Sequence, residues 1–282
     1  MGQMTLFELK QLGTKALGEV SDSPEFEAVE LLCKALEIKK EYVYTQKSRL
    51  VTERENEIFQ DLIKRRTAGE PLQYILGFWE FYSLNFDVGE GVLIPRPDTE
   101  ILVDEALRAA KDMKSPKILD LCCGSGCVGI ALAKSLKNSH VTAADFFEKP
   151  LFYTKKNAKK NQVSNIDVVK ADVFDKNQQL GKFDLIVANP PYIKSSVIGE
   201  LSAEVLHEPL EALDGGDDGL SFYRAICQNF SPLLNDKGAL LVEIGFDQGA
   251  EVSELFKKYF QSVNCVTDLS GNDRVVTGIN KY

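Results

Sequence analysis

Apolar residues in the first part of the chain recur every three or four positions, the spacing of amphipathic helices. This spacing predicts three helices with the following apolar faces: Leu6, Leu9, Ala16 and Leu17; Ala28, Leu31, Leu32 and Ala35; and Ile58, Phe59, Leu62 and Ile63. Ser23-Pro24 is typical of the start of the second helix. Thr52, with Glu55 three residues later, predicts a capping box at the start of the third. We therefore expect residues 1–76 to form a small helical domain.

The pattern changes at residues 77–97 to short aromatic runs that nearly alternate with polar residues. These runs lie on either side of Val88-Gly-Glu-Gly91, and they predict a β-hairpin linker between two domains. The stiff segment Pro95-Arg-Pro97 follows. Asp98-Thr99 is then the predicted cap of a helix that reaches about Ala110.

Residues 98–282 show apolar runs of strand length that alternate with helical patterns, which predicts a doubly wound parallel sheet. The predicted strands are Lys117–Leu121, Val141–Ala144, Ile166–Val169, Phe183–Ala188 and Ala239–Ile244. The last two runs, Ser262–Val266 and Arg274–Ile279, are joined by a short loop at Ser270–Asp273. They predict a closing antiparallel hairpin. The expected fold class is therefore α/β, with the small helical domain in front.

Composition and charge narrow the possible functions. The 282 residues are 44% hydrophobic and 27% charged, which is typical of a folded globular protein. The formal net charge is −9, and acidic residues exceed basic ones in the first 85 residues as well as in the rest. This disfavours binding of nucleic acid by phosphate neutralisation. No apolar run is long enough to span a membrane and no signal region opens the chain, so we expect a cytoplasmic protein with no membrane partner.

The six cysteines show no paired CxxC spacing, and we expect reduced thiols and no metal site. They are Cys33, Cys122, Cys123, Cys127, Cys227 and Cys265. A metal site at the cluster of three would need other ligands, and His140 and His207 are the only histidines in the sequence.

A glycine-containing loop, Asp120-Leu-Cys-Cys-Gly-Ser-Gly126, follows the first predicted strand, where doubly wound sheets bind ligands. Gly124–Gly129 also fits the dinucleotide pattern GxGxxG, but Asp120 would repel a pyrophosphate. S-adenosylmethionine (SAM) has no phosphate and carries positive charge, so it suits this acidic loop better. The candidate SAM-binding residues are Asp120, Cys122, Cys123, Gly124, Ser125, Gly126, Asp145, Phe146, Asp172, Val173 and Asn189. We expect Asp145 to bind the ribose hydroxyls, and Asp172 and Val173 to contact adenine; Asp172 is equally well explained as a solvated turn residue.

The motif Asn189-Pro190-Pro191-Tyr192 ends the strand Phe183–Ala188. Asn-Pro alone could mark a turn. The full motif resembles that of SAM-dependent methyltransferases acting on planar nitrogen, in base amines and side-chain amides. The resemblance implies that the Asn189 side-chain oxygen and the Pro190 carbonyl accept the two N–H groups of the target, while Tyr192 packs against it. The prolines hold that carbonyl in place, and catalysis is mainly orientation and electrostatics.

Further motifs narrow the resemblance, and together they extend over essentially the whole chain. They are Pro71–Gly77, Leu93–Glu100, Asn189–Tyr192, Glu208–Leu213 and Gly271–Val275. Their order is similar to that in the release-factor glutamine methyltransferases (the PrmC/HemK family). The resemblance implies methyl transfer from SAM to N5 of the glutamine in the Gly-Gly-Gln motif of class I peptide chain release factors, leaving S-adenosylhomocysteine. We also expect the helical domain to recognise the substrate, because every chemical motif lies beyond Pro95; alternatively, its helices pack wholly against the methyltransferase domain as a stabilising cap. This chain departs from the family at Cys122, where the family usually has glycine. The departure matters for the geometry of the loop, because cysteine does not freely adopt positive φ.

Two other functions share parts of this pattern. A nucleic-acid amino methyltransferase could use the same motif on adenine or guanine, but the acidic charge disfavours stable nucleic-acid binding. A non-catalytic sensor of SAM or nucleotides would bind without turnover, and the intact Asn189–Tyr192 motif disfavours it.

Overall fold

The computed structural model describes residues 3–177 and 179–282, which form two compact units. The first unit extends to Phe78 and also contains Ser202–His207, from far along the chain. The second unit consists of Trp79–Leu201 and Glu208–Tyr282. We call them the helical unit and the sheet unit. Within the described residues, no helix combines the length and apolar character needed to cross a membrane.

In its described residues, the helical unit contains five α-helices. They are α1 (Leu6–Leu17), α2 (Pro24–Leu36), α3 (Lys40–Thr45), α4 (Glu53–Thr67) and α5 (Leu72–Leu76). Thr5 and Thr52 cap α1 and α4 through capping boxes, the second as predicted. Two residues assigned to apolar faces, Ala16 and Ile58, are instead exposed. Neighbouring helix residues point about 100° apart. The residue that follows each of these two in the sequence is buried, so Ala16 and Ile58 point outward.

A two-stranded hairpin follows, made of β1 (Phe78–Phe81) and β2 (Leu84–Asp87). Its turn is Tyr82-Ser83, so the turn predicted at residues 88–91 is wrong. Both turn residues have positive φ, 50° and 56°, as a type I′ hairpin turn requires. Contacts from the following helix stabilise this conformation: Glu100 accepts the Tyr82 N–H at 2.7 Å, and the Tyr82 hydroxyl donates to Asp104 at 2.8 Å.

The core of the sheet unit is a seven-stranded sheet. Its strands are β3 (Lys117–Leu121), β4 (His140–Asp145), β5 (Ile166–Lys170), β6 (Phe183–Ala188), β7 (Leu234–Glu243), β8 (Phe260–Thr267) and β9 (Asp273–Lys281). Their spatial order is β5-β4-β3-β6-β7-β9-β8. β3 to β7 are parallel, while β9 is antiparallel to both of its neighbours. The predicted parallel sheet with a closing hairpin is confirmed.

Helices cover both faces of this sheet. They are α6 (Glu100–Ala109), α7 (Cys127–Ser135), α8 (Glu148–Lys160), α9 (Ser221–Phe230) and α10 (Gly249–Phe256), with short 3₁₀ turns at Pro97–Thr99, Ser195–Glu200, Val205–His207, Leu210–Ala212 and Ser231–Leu233. Strand residues alternate between two apolar clusters: Leu119 packs with α9 and α10, whereas Ile118 packs with α6, α7 and α8. This alternation follows from the two-residue repeat of a strand.

The chain reverses direction across the sheet at β3. From β3 it proceeds through β4 to β5 on one side, and then returns to β6 on the other side of β3. Ligands bind in α/β sheets at the carboxyl ends of the strands beside such a reversal. The segments that follow β3, β4, β5 and β6 therefore meet at one edge.

Candidate active site

An open cavity of about 690 Å³ lies at this edge, entirely within the sheet unit. Most of the residues predicted from the sequence line it: Asp120, Cys122, Cys123, Gly124, Ser125, Asp145, Phe146, Asp172, Val173, Asn189 and Pro191. Side chains that are far apart in sequence meet here because their strands are neighbours in the sheet.

Three predicted residues do not line the cavity. Gly126 begins α7 with φ of 81°, and a Cβ there would lie 2.8 Å from Thr154 Cγ2, so this glycine permits close packing. Pro190 is buried. Tyr192 is half-buried against the core of the sheet unit, and its carbonyl accepts the Gln248 Nε2–H at 3.0 Å. The structure therefore does not bring the Tyr192 ring into the cavity.

The loop after β3 presents its backbone to the cavity. Gly124 has φ of 55°, and a Cβ added there would meet only the Cys122 carbonyl oxygen, at 4.0 Å. The missing side chain thus leaves open space for a ligand. Cys122 also has φ of 55°, a conformation that costs a non-glycine residue roughly 1–2 kcal/mol. Backbone strain of this kind is concentrated at ligand sites.

The three cysteines near this loop are held as thiols. Burial raises the pKa of Cys122 and Cys123 well above the ordinary value, and that of Cys127 to about 12. Metal binding and nucleophilic attack both need the thiolate. In addition, the described residues contain no group of three or more His, Cys, Asp or Glu side chains that could hold a metal ion.

Asp145, at the end of β4, connects two cavity loops. Its Oδ2 accepts the Gly124 N–H at 3.1 Å, and its Oδ1 accepts the Phe147 N–H at 3.1 Å. Burial raises its pKa. A carboxylate has about four acceptor positions, so Asp145 retains capacity for a ligand's hydroxyl groups. This arrangement fits a ribose diol.

Asp120, at the end of β3, is the most deeply buried acid of the loop, with 1% of its surface exposed. Its Oδ2 accepts the Gly129 N–H at 2.8 Å. Burial raises its pKa to about 7, and the negative charge of Asp145 adds to the rise. Among the described residues Asp120 forms no ion pair. A buried acid of this kind gains its counter-charge when a cationic ligand binds.

The cavity as a whole is acidic. Its acidic lining residues are Asp120, Asp145, Glu148, Asp172, Glu211 and Asp214, and its basic ones are Arg96 and Lys149. Arg96 forms an ion pair with the buried Glu208, which also accepts the Ile94 N–H at 2.9 Å. This charge favours a cationic ligand and opposes a pyrophosphate.

Asn189 is held by a residue to which the sequence assigned a different role. Thr99 was predicted to cap α6, but it makes no capping hydrogen bond. Its Oγ1 instead accepts an N–H from Asn189 Nδ2 at 3.1 Å. Because an amide nitrogen and oxygen point in different directions, Oδ1 of Asn189 points away from Thr99 when Nδ2 makes this bond. That oxygen is then the acceptor available to a substrate.

Sequence reasoning also missed several lining residues: Phe147, Phe174, Phe222, Arg96 and Thr99. Phe147 and Phe174 could have been predicted, since each directly follows candidate site residues at the end of a strand. Thr99 and Arg96 lie in the motif Leu93–Glu100, which by itself does not indicate a role in the site. Glu243 ends the apolar run of β7, but nothing local connects it with Asn189.

The parallel sheet with its closing hairpin, and the cavity at the reversal point, define a class I methyltransferase fold. Solved structures agree at the level of fold. The hMettl16 catalytic domain, solved in complex with the MAT2A 3'UTR hairpin 6, has a TM-score of 0.58 and 18% identity, covering 82% of this chain and 84% of that one. The ribosomal protein L11 methylase of Lactobacillus delbrueckii subsp. bulgaricus has a TM-score of 0.51 and 21% identity, covering 70% and 84%.

Sequence comparison gives the family. Residues 8–77 match the PrmC N-terminal domain, and residues 97–219 match the methyltransferase small domain. The release factor glutamine methyltransferase of Clostridium botulinum is 41% identical over 90% of this chain and 91% of its own length. That of Thermodesulfovibrio yellowstonii is 40% identical over 89% and 90%. The chain therefore belongs to the release factor glutamine methyltransferase family and is an enzyme of the methyltransferase class.

Proposed function

We propose that this enzyme transfers a methyl group from SAM to the side-chain amide nitrogen N5 of the glutamine in the Gly-Gly-Gln motif of class I peptide chain release factors. The observation that carries the proposal is the hydrogen bond from Asn189 to Thr99. It holds the side-chain amide of Asn189 in the lining of an acidic cavity, and the oxygen of that amide can accept a hydrogen bond from a second amide.

The cavity residues fit SAM. Asp145 has acceptor capacity for the ribose hydroxyls, and the open space at Gly124 admits a ligand close to the backbone. Asp120 supplies negative charge for the cationic part of the molecule. When bound, SAM supplies the activated methyl group.

The chain's own residues orient the acceptor. In this proposal Asn189 Oδ1 and the Pro190 carbonyl each accept one N–H of the target amide. These two bonds fix the nitrogen and direct its lone pair toward the methyl group. The new C–N bond forms as the methyl–sulfur bond breaks, and the nitrogen then loses one proton to water. Positive charge passes from the donor to the nitrogen, so no strong base is needed beforehand.

We propose the cytoplasm as the site of action and a release factor as the protein partner. The acidic cavity and the net charge of −9 oppose a polyanionic substrate. A base amine in a nucleic acid is therefore the weaker alternative.

Labelled SAM tests the proposal directly. The enzyme is incubated with a release factor, with the same factor carrying Gln→Ala in its Gly-Gly-Gln motif, and with ribosomal RNA or DNA. We expect label on the intact factor alone, at N5 of that glutamine by mass spectrometry. Label on the altered factor at the same rate, or on nucleic acid in preference to protein, would overturn the proposal.

We further propose that the helical unit recognises the release factor. Large apolar side chains are exposed on it: Phe7, Leu12, Val20, Phe26, Tyr42, Tyr44, Leu50 and Ile58. Large exposed apolar side chains of this kind are candidates for a binding surface. Lysines lie over several of these rings, as Lys40 does over Phe26 at 5.3 Å, so apolar and charged side chains are mixed on this surface.

Surface variants test this role better than deletion of the helices, because Ser202–His207 belongs to the same compact unit and would lose its support. We expect Phe26→Ser with Tyr42→Ser to raise KM for the release factor, since apolar contact area is lost, and to leave SAM affinity unchanged. Leu269→Ser is the matched control, because Leu269 is fully exposed on the sheet unit. An unchanged KM in the double variant would exclude this part of the surface.

A further inference from the structure

Glu243 is a buried carboxylate beside Asn189 for which the proposed reaction has no use so far. It ends β7, and the register that pairs Ala188 with Val242 places it next to Asn189 on the neighbouring strand. Only 2% of Glu243 is exposed. Burial raises the pKa of Glu243, and the neighbouring polar side chains of Thr99 and Asn189 favour its charged form. Because a carboxylate can only accept, its contact with Asn189 uses the amide nitrogen.

The carboxylate is poorly compensated for a buried charge. Its Oε2 has no hydrogen-bond partner among the described residues, and within that same part of the chain Glu243 forms no ion pair. The nearby cation Arg274 is held by Asp98 at 3.1 Å and by Asp268 at 3.0 Å. Burying a weakly paired charge costs free energy. Glutamine would fill almost the same volume without that cost, so the position points to a use for the charge.

We propose that Glu243 is a positioning residue for methyl transfer: it accepts from the Asn189 amide nitrogen and thereby keeps Oδ1 of Asn189 directed at the target amide. This inference rests on the proposed function. An asparagine amide can adopt two flipped orientations, and a group that only accepts selects one of them. Thr99 alone makes no such selection, because a hydroxyl both donates and accepts.

Protonation of Glu243 would remove its preference for one orientation of the Asn189 amide. Burial raises the pKa of Glu243 to about 7, and a protonated carboxyl can donate to Asn189 Oδ1 and hold the amide flipped. Turnover should therefore fall as the pH falls through about 7. The other ionisable groups that face Glu243 are Arg274, Asp98, Cys127, Tyr192 and Tyr223. Burial raises the pKa of Cys127 and Tyr192 to about 12 and that of Tyr223 well above its ordinary value, so these three stay neutral.

The test compares Glu243→Gln with the wild type at saturating SAM and release factor. We expect kcat to fall about 100-fold, the size of effect that a small misplacement of reacting groups produces, while SAM affinity by calorimetry stays unchanged. Between about pH 6 and about pH 8, kcat of the wild type should rise with pH and kcat of the variant should stay flat. Glu254→Gln, an exposed change in α10, is the control and should behave as the wild type.

The outcomes separate the two proposals. If the wild type places no label on the release-factor glutamine, the proposed function fails. If it does, and Glu243→Gln has the wild-type kcat and pH profile, the positioning role is overturned. Should the variant fail to bind SAM, the wild-type profile decides: a kcat that does not change with pH overturns the role, and a rise through about pH 7 supports it.

Discussion

The helical unit and the sheet unit both bury charged side chains, but they compensate the charge differently. In the helical unit Arg66 is 3% exposed, and its guanidinium meets Glu27 at 2.7 Å and Glu204 at 3.0 Å. In the sheet unit Asp120 and Glu243 are equally buried, yet among the described residues neither forms an ion pair, and burial raises the pKa of each to about 7.

The difference distinguishes buried charges that stabilise the fold from buried charges that serve binding or catalysis. The charges of Arg66, Glu27 and Glu204 compensate one another, and their ion pairs connect the segment Ser202–His207 to helices α2 and α4 of the same unit. Asp120 and Glu243 lack such partners among the described residues, and they lie at or beside the cavity. Perturbed acids near a cleft are typical of functional sites. Disrupting the first set should therefore reduce stability, and disrupting the second should reduce binding or turnover.

The largest effect is expected from Arg66→Ala. Removing one partner of a buried ion pair leaves the other charge uncompensated, at a cost of about 3–5 kcal/mol in the free energy of unfolding. Urea unfolding measures it. Arg65→Ala is the matched control, because the pair of Arg65 with Glu70 is much more exposed than that of Arg66 and should contribute about 1 kcal/mol or less. Equal losses in the two variants would contradict the structural role of the Arg66 network.

Asn189→Ala in the sheet unit should reduce turnover strongly and stability only slightly. The proposed contact to the target amide is worth about 2–4 kcal/mol in the transition state, so turnover should fall by about two orders of magnitude. The free energy of unfolding should change by only about 1 kcal/mol, since one hydrogen bond to Thr99 is lost. Steady-state kinetics and urea unfolding measure both quantities, with the exposed Asn264→Ala as control. Near-normal turnover would exclude the proposed mechanism.

The smallest expected effect is a pH dependence of SAM affinity. Asp120 is charged above its pKa of about 7 and neutral below it, so affinity for a cationic ligand should fall as the pH falls. From about pH 8 to about pH 6 we expect a loss of roughly tenfold, by calorimetry. Asp120→Asn should flatten this dependence, whereas Glu243→Gln should retain it. If affinity does not change with pH, Asp120 does not interact with the cation.

Most of the fold could be predicted from local patterns. The alternation of strands and helices identified the sheet, and most of the site residues predicted at the strand ends do line the cavity. The predictions failed where neighbours from elsewhere in the chain decided the outcome. The hairpin turn formed at Tyr82-Ser83, which carries no glycine, because Glu100 and Asp104 stabilise it. The motif likewise did not indicate that Tyr192 is half-buried against the core of the sheet unit.

Composition alone sets the acidic balance, and local sequence predicts the elements, the glycine loop and the Asn189–Tyr192 motif, because each of these depends on residues that are close together in the chain. Only the tertiary structure joined Thr99 and Glu243 to Asn189, and Glu204 to Arg66. These groups are far apart in sequence, and strand order or the placement of Ser202–His207 brings them together. Burial, which sets the pKa values of Asp120 and Glu243, likewise arises only when the whole unit has packed.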